Sequence, residues 1–219
     1  MTKQLFKSIQ VFNNRNQCTI GDITIKNYKM SYTAAPILPS ECISLASEYI
    51  KLGDWDLVKK SAIEQNLIQA RALGSLKRIV HELIYRLKSL DKKELEWLIE
   101  ANQQEQLYML WLTICRSYRF IAEFSDEVLR EQFITFNLVL NHEDYDLFFR
   151  HKADWHAELD ELSDLTKQKV RQVLFKMLTE ANLIDSNNMI QQANLSLELK
   201  QMILNRRPDE LRFFPMFSD

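Results

Sequence analysis

Between Gln103 and Phe136 the apolar positions follow a helical period and fall on two sides at once. Leu107, Leu110, Trp111, Ile114, Tyr118 and Ile121 recur at i, i+3, i+4, i+7 spacing, while Tyr108, Leu112, Cys115 and Ala122 make a second stripe. A helix that is apolar on two sides is buried on two sides, so the pattern predicts a central helix with others packed round it. Arg116 and Arg119 interrupt the apolar run, where a lone charge would be costly. Glu123, four residues beyond Arg119, supplies a partner on the same face and predicts a half-buried structural ion pair, Arg119–Glu123.

Helical periods continue on either side. Ser40 is placed to cap a helix through Ile43, Ala46 and Ile50 that Gly53 ends, and Asp54 caps a second with Trp55, Val58 and Ala62 inward. Ser75 opens a third, whose Leu76, Ile79, Val80, Leu83 and Leu87 form an apolar face and whose other side shows Lys77, Arg78, His81, Tyr85 and Arg86. Asp91 with Glu94, and Asn102 with Glu105, have the spacing of capping boxes. Ser125 is expected to end the central helix and cap the next, Asn141 to introduce Tyr145, Phe148 and Phe149, and Trp155 to anchor the loop that follows. Thr166 caps a helix with Val170, Val173, Leu174, Met177 and Leu178 inward and Lys167, Lys169, Arg171 and Lys176 on the remaining surface. Leu183–Ile184 and Met189–Ile190, on either side of a polar turn, predict a small β-hairpin. Ser196 caps a last helix stopped by Pro208. The tail from Leu211 to Phe217 is too apolar to remain in solvent, so it should dock on the core or on a partner.

These elements make the fold class all-α, a multi-helix bundle with a winged-helix-like C-terminal unit, the hairpin serving as wing. Four parts are expected. Residues 1–37 form an N-terminal appendage, in which Ile20, Ile23 and Ile25 suggest a short strand and Met30 is an alternative start. Residues 38–100 form an N-terminal helical unit with the order of a helix-turn-helix reader, 101–164 a central acidic helical core, and 165–219 the winged-helix-like unit with its docking tail.

Composition narrows the function classes. Three glycines leave no room for a phosphate-cradling loop, no GxSxG elbow is present, and acidic pairs such as Asp126–Glu127 sit in first helical turns where the dipole accounts for them. The reading is therefore a non-enzyme without cofactor or small-molecule substrate. Cys18, Cys42 and Cys115 have neither CxxC spacing nor an even count, which argues for reduced structural thiols and a cytoplasmic setting. His142, His151 and His156 lack a metal-binding pattern, so no metal is expected. No uncharged apolar run is long enough to span a membrane. The net charge of −2 conceals blocks of opposite sign: ten basic and five acidic residues from Lys51 to Lys93, five and sixteen from Glu94 to Asp164, seven and three from Thr166 to Arg207. Basic blocks can meet phosphates, and an acidic middle is solvated or faces a basic partner.

From about Leu38 to Phe217 the chain resembles the BrxA family of BREX (bacteriophage exclusion) defence systems. The likeness is carried by LGDWDLVKK (Leu52–Lys60), WLTICRSYRFIAEFSDEVLREQF (Trp111–Phe133), DYDLFFRHKADWHAEL (Asp144–Leu159) and TKQKVRQVLFKMLTEANLI (Thr166–Ile184). The resemblance implies an all-helical protein, compared in fold with the antitermination factor NusB, and a nucleic-acid-binding role in phage defence. It brings no catalytic motif. Family members are sometimes labelled inner-membrane proteins, from which this chain departs in offering no span. The expectation is an accessory protein binding duplex DNA by phosphate contacts, through Lys77, Arg78 and Arg86 at one site and Lys167, Lys169, Arg171 and Lys176 at another. The alternatives are an assembly adaptor whose acidic middle and aromatic tail dock other BREX subunits, and RNA binding like that of NusB.

Overall fold

The computed structural model describes residues 11–13, 17–20 and 23–217. Three short antiparallel strands come first, β1 (Val11–Asn13), β2 (Gln17–Ile20) and β3 (Ile23–Lys26), adjacent in chain order. Tyr28, Tyr32, Ala35 and Ile37, in the stretch read as an appendage, are buried in the helical core. A 3-10 turn at Ser31–Ala34 carries Tyr32 inward, and the Tyr32 hydroxyl donates to the Val170 carbonyl at 3.1 Å.

The helices that follow begin and end largely where local chemistry permits. α1 (Pro39–Leu52) starts a residue before Ser40, because Pro39 suits a first turn and Leu38 is left-handed at φ 52°. Gly53, left-handed at φ 68°, closes it, and the Asp54 carboxylate accepts from the Asp56 and Leu57 amides to open α2 (Trp55–Glu64). α3 (Leu73–Leu87) starts before Ser75, at Ala72, which makes no side-chain cap. Asp91 and Glu94 form the predicted capping box of α4 (Lys92–Glu100), and Asn102 caps α5 (Gln103–Ser117) by accepting from the Glu105 amide.

α5 is the centre. Every residue from Leu107 to Cys115 is buried, which goes beyond the two stripes read from the pattern. The helix breaks at Tyr118, whose backbone is extended (φ −131°, ψ 95°), and resumes as α6 (Arg119–Phe124). Ser125 does not cap a new helix as expected. The chain runs on through a π-helical stretch, Ser125–Arg130, into α7 (Glu131–Ile134), and the buried Ser125 hydroxyl donates back to the Ile121 carbonyl at 2.7 Å.

A capping box of Asn141 and Asp144 opens α8 (His142–Ala153). Trp155, expected as an anchor, is 61 % exposed, and its neighbour His156 is buried instead. After α9 (Ala157–Asp160) comes α10 (Asp164–Glu180), capped by Ser163, so that Thr166 lies within its first turn rather than before it. The predicted hairpin does not form as a pair of strands. Single antiparallel bridges, Ile184↔Ile190 and Val139↔Met189, replace it. Left-handed Asn182 and Asn188 bend the segment sharply, the Asp185 carboxylate takes up the Asn187 and Met189 amides, and Ile190 donates to Leu138. Ser196 caps α11 (Leu197–Arg206), and Pro208 opens a 3-10 turn, Pro208–Phe213. The tail then docks as predicted. Phe213, Phe214 and Met216 are buried, and the Trp111 indole donates to the Phe213 carbonyl at 3.0 Å.

Candidate nucleic-acid interface

α3 divides its charges between two faces. Leu76, Val80, Leu83 and Leu87 turn inward with Glu82, while Lys77, Arg78, His81 and Lys88 are exposed at helical spacing. Glu82 is the one carboxylate from residue 65 to residue 90, so the exposed surface of this segment carries Arg71, Lys77, Arg78 and Lys88 with nothing of opposite sign beside them in sequence. Among the described residues no ion pair joins these four to a carboxylate. Arg71, His81 and Lys88 were not among the predicted contacts; the signal was the absence of acidic residues across the segment.

Arg86, predicted to stand with Lys77 and Arg78, faces the other way. Its Nε donates to Glu82 Oε1 at 2.7 Å, and its terminal nitrogens donate to the carbonyls of Tyr32 (3.1 Å), Ala35 (2.7 Å) and Pro36 (2.8 Å). Glu82 also accepts from the Tyr118 hydroxyl at 2.5 Å. With its donors committed inside the core, Arg86 cannot reach a phosphate, and it leaves the candidate set.

The α10 cations lie at the surface, and two of the four are paired with carboxylates. Arg171 meets Asp146 at 2.5 Å, Lys176 meets Glu180 at 3.7 Å, and Lys167, half-buried, donates to the Asp160 carbonyl at 3.3 Å. Lys169 is exposed, with the Gln172 amide oxygen 3.4 Å away. Two shallow clefts of about 410 and 440 Å³ flank Gln168 and Arg171. Lys169 lines the first beside His142 and Phe175, Lys167 the second beside Asp160 and Asp164, and Lys176 lies outside both. A phosphate approaching Arg171 or Lys176 would have to displace a carboxylate, which one approaching Lys77 or Arg78 would not.

Away from these cations lie two further ion clusters, one partly exposed around Arg119 and one buried around Arg116. The predicted pair Arg119–Glu123 forms at 3.2 Å, and Lys152 adds to it, 2.6 Å from Glu123 and 2.7 Å from Glu127. The Tyr28 hydroxyl donates to Glu123, its ring lies 4.1 Å from that of His156, and the Arg119 guanidinium sits 4.2 Å over its face. His156 Nδ1 is 3.0 Å from Glu158, and burial holds its pKa below the usual histidine value. The Arg116 side chain, 1 % exposed, lies 2.8 Å from both Glu94 and Glu210. Burial also pushes the Cys42 thiol up to about 12, which makes it an inert core residue. Among the described residues no group of three or more His, Cys, Asp or Glu is disposed to hold a metal ion, and no helix is long and apolar enough to cross a membrane.

The family model described as BrxA matches residues 26–207. A protein named "BREX protein BrxA" from Bacillus cereus (strain H3081.97) is 26% identical over 149 residues, which cover 67% of this chain and 74% of that protein. Another of the same name from Escherichia coli O9:H4 (strain HS) is 23% identical over 173 residues, 78% of this chain and 81% of its own length. A crystal structure of an uncharacterized protein from Magnetospirillum magneticum shares the fold, with a TM-score of 0.72 at 18% identity, over 88% of this chain and all of that one.

Proposed function

The chain belongs to the BrxA family of BREX phage-defence components, and from that premise we propose that it serves phage defence by binding duplex DNA, without chemistry of its own, through phosphate contacts made by α3. One observation carries this reading. The exposed side of residues 65–90 holds Arg71, Lys77, Arg78 and Lys88 while its one carboxylate, Glu82, is turned into the core. Cations without internal partners give up little when they bind a phosphate and release its counterions. Such contacts position a protein on DNA without reading sequence. On this reading α10 is a secondary contact, because Arg171 and Lys176 must first leave Asp146 and Glu180. The comparison with NusB belongs to the same proposal and would favour RNA if it governs binding.

Gel-shift titration on a random-sequence duplex tests it. Wild-type protein should bind at low salt, and the double variant Lys77→Glu/Arg78→Glu should bind at least about tenfold more weakly, whatever the sequence. No binding at low salt, or an undiminished affinity in the variant, would overturn the proposal. Competition with unlabelled RNA separates the two nucleic acids: RNA that displaces the duplex at lower concentration than duplex itself assigns the surface to RNA.

A further inference from the structure

The outer side of α3 has a gap that another part of the chain fills. Arg78, His81, Tyr85 and Lys88 fall at i, i+3, i+7 and i+10, which sets them in one row along the helix. Tyr85 gives that row a phenol instead of a cation, and Arg86 beside it is turned into the core. About 10 Å of helix between His81 and Lys88 therefore presents no basic side chain of its own.

The Lys29 ammonium lies over the Tyr85 ring, its Nζ 3.2 Å from the centroid and 5.6 Å from that of Tyr118. The half-buried Tyr85 is fixed by its hydroxyl, which donates to the Ser117 carbonyl at 3.2 Å. Lys29 is exposed, and among the described residues no ion pair joins it to a carboxylate. An ammonium resting on an aromatic face keeps its charge and leaves its other side open to an anion.

The flanking residues hold Lys29 in this position. Before it, Tyr28 is buried, its amide donating to Glu158 at 2.7 Å and its hydroxyl to Glu123. After it, the Ser31–Ala34 turn carries Tyr32 into the core, and Arg86 donates to the carbonyls of Tyr32, Ala35 and Pro36. Arg86, which cannot reach a phosphate, thus grips the segment that brings Lys29 round to the outer side of its own helix.

We infer that Lys29 is a phosphate contact of the α3 face, supplied from outside the helix, so that the interface includes the segment entering the core at Tyr28. The inference rests on α3 being the DNA-contacting surface and adds to it a cation that the helix does not contain.

Fluorescence anisotropy of a labelled random duplex with the full chain, over a series of salt concentrations, tests it. In Lys29→Gln the slope of log K against log salt should become shallower by about 0.9, the value of one lost phosphate contact, and Lys29→Arg should keep the wild-type slope. Melting temperatures of both should match wild type, since Lys29 is exposed and makes no ion pair. Added to Lys77→Gln/Arg78→Gln, Lys29→Gln should bring the total loss to about 2.7. A wild-type slope in Lys29→Gln alongside a shallower one in Lys77→Gln/Arg78→Gln overturns this inference and leaves the α3 reading standing. A Lys29→Arg variant as shallow as Lys29→Gln does the same, because the charge is then kept without effect. If the wild-type protein fails to bind duplex at low salt, or Lys77→Gln/Arg78→Gln keeps the wild-type slope, the α3 reading falls and this inference falls with it.

Discussion

Arg86 and Glu82 meet at 2.7 Å one turn apart on α3, their side chains 2 % and 5 % exposed. The pair sorts the helix into an inner half, tied by Arg86 to the carbonyls of Tyr32, Ala35 and Pro36, and an outer half left with cations alone. Glu82 therefore does two things at once: it neutralises the buried arginine and is withheld from Lys77 and Arg78.

Removing Arg86 leaves the Glu82 carboxylate buried with only a tyrosine hydroxyl for company. Arg86→Ala should cost about 3–5 kcal/mol in urea unfolding. The affinity of the folded fraction for duplex should stay close to wild type. A stable protein with lost DNA binding would return Arg86 to the interface.

Arg116 is held by Glu94 and Glu210, and Glu210 lies on the 3-10 turn that precedes the docked tail. Arg116→Leu should therefore destabilise by about 3 kcal/mol, since it leaves buried Glu94 with Arg206 and buried Glu210 with Arg207 as their remaining ion partners. Arg116→Leu/Glu210→Leu should recover part of that loss in a double-mutant cycle. Strict additivity in denaturant unfolding would show the pair to be uncoupled.

His156 faces Glu158 on its own segment, Arg119 from α6, Glu123 beyond it and the Tyr28 ring, and burial holds its pKa below 6.5. Between that folded value and the unfolded one near 6.5 the unfolded chain binds more protons, so stability rises with pH across the window. Acidification from about pH 7.5 to 5.5 should lower the melting temperature, and His156→Gln should flatten that dependence. An equally steep profile in the variant would assign it to carboxylates instead.

Caps at Asp54, Asp91, Asn102, Asn141 and Ser196 could be read from the sequence because each acts on amides within the next few residues. Arg119–Glu123 was legible for the same reason. Arg86 was not, because its carbonyl acceptors lie 50 to 54 residues upstream in a stretch that reads as an appendage. Glu210 is 94 residues from Arg116, and nothing in the local pattern connects them. Helical period does not predict the break at Tyr118 or the π-helical continuation through Ser125, since both depend on how α5 and α6 pack. Trp155 and His156 are adjacent at a helix end, where no period remains to say which turns inward, and the more hydrophobic residue proves to be the exposed one.

Central to the account is that Lys77 and Arg78 meet phosphates directly. Fluorescence anisotropy of a labelled random duplex, titrated at a series of salt concentrations, measures how many counterions binding releases. In Lys77→Gln/Arg78→Gln the slope of log K against log salt should become shallower by about 2, close to one per lost phosphate contact, with the melting temperature unchanged. A slope equal to that of the wild type would contradict the account and move the interface off α3.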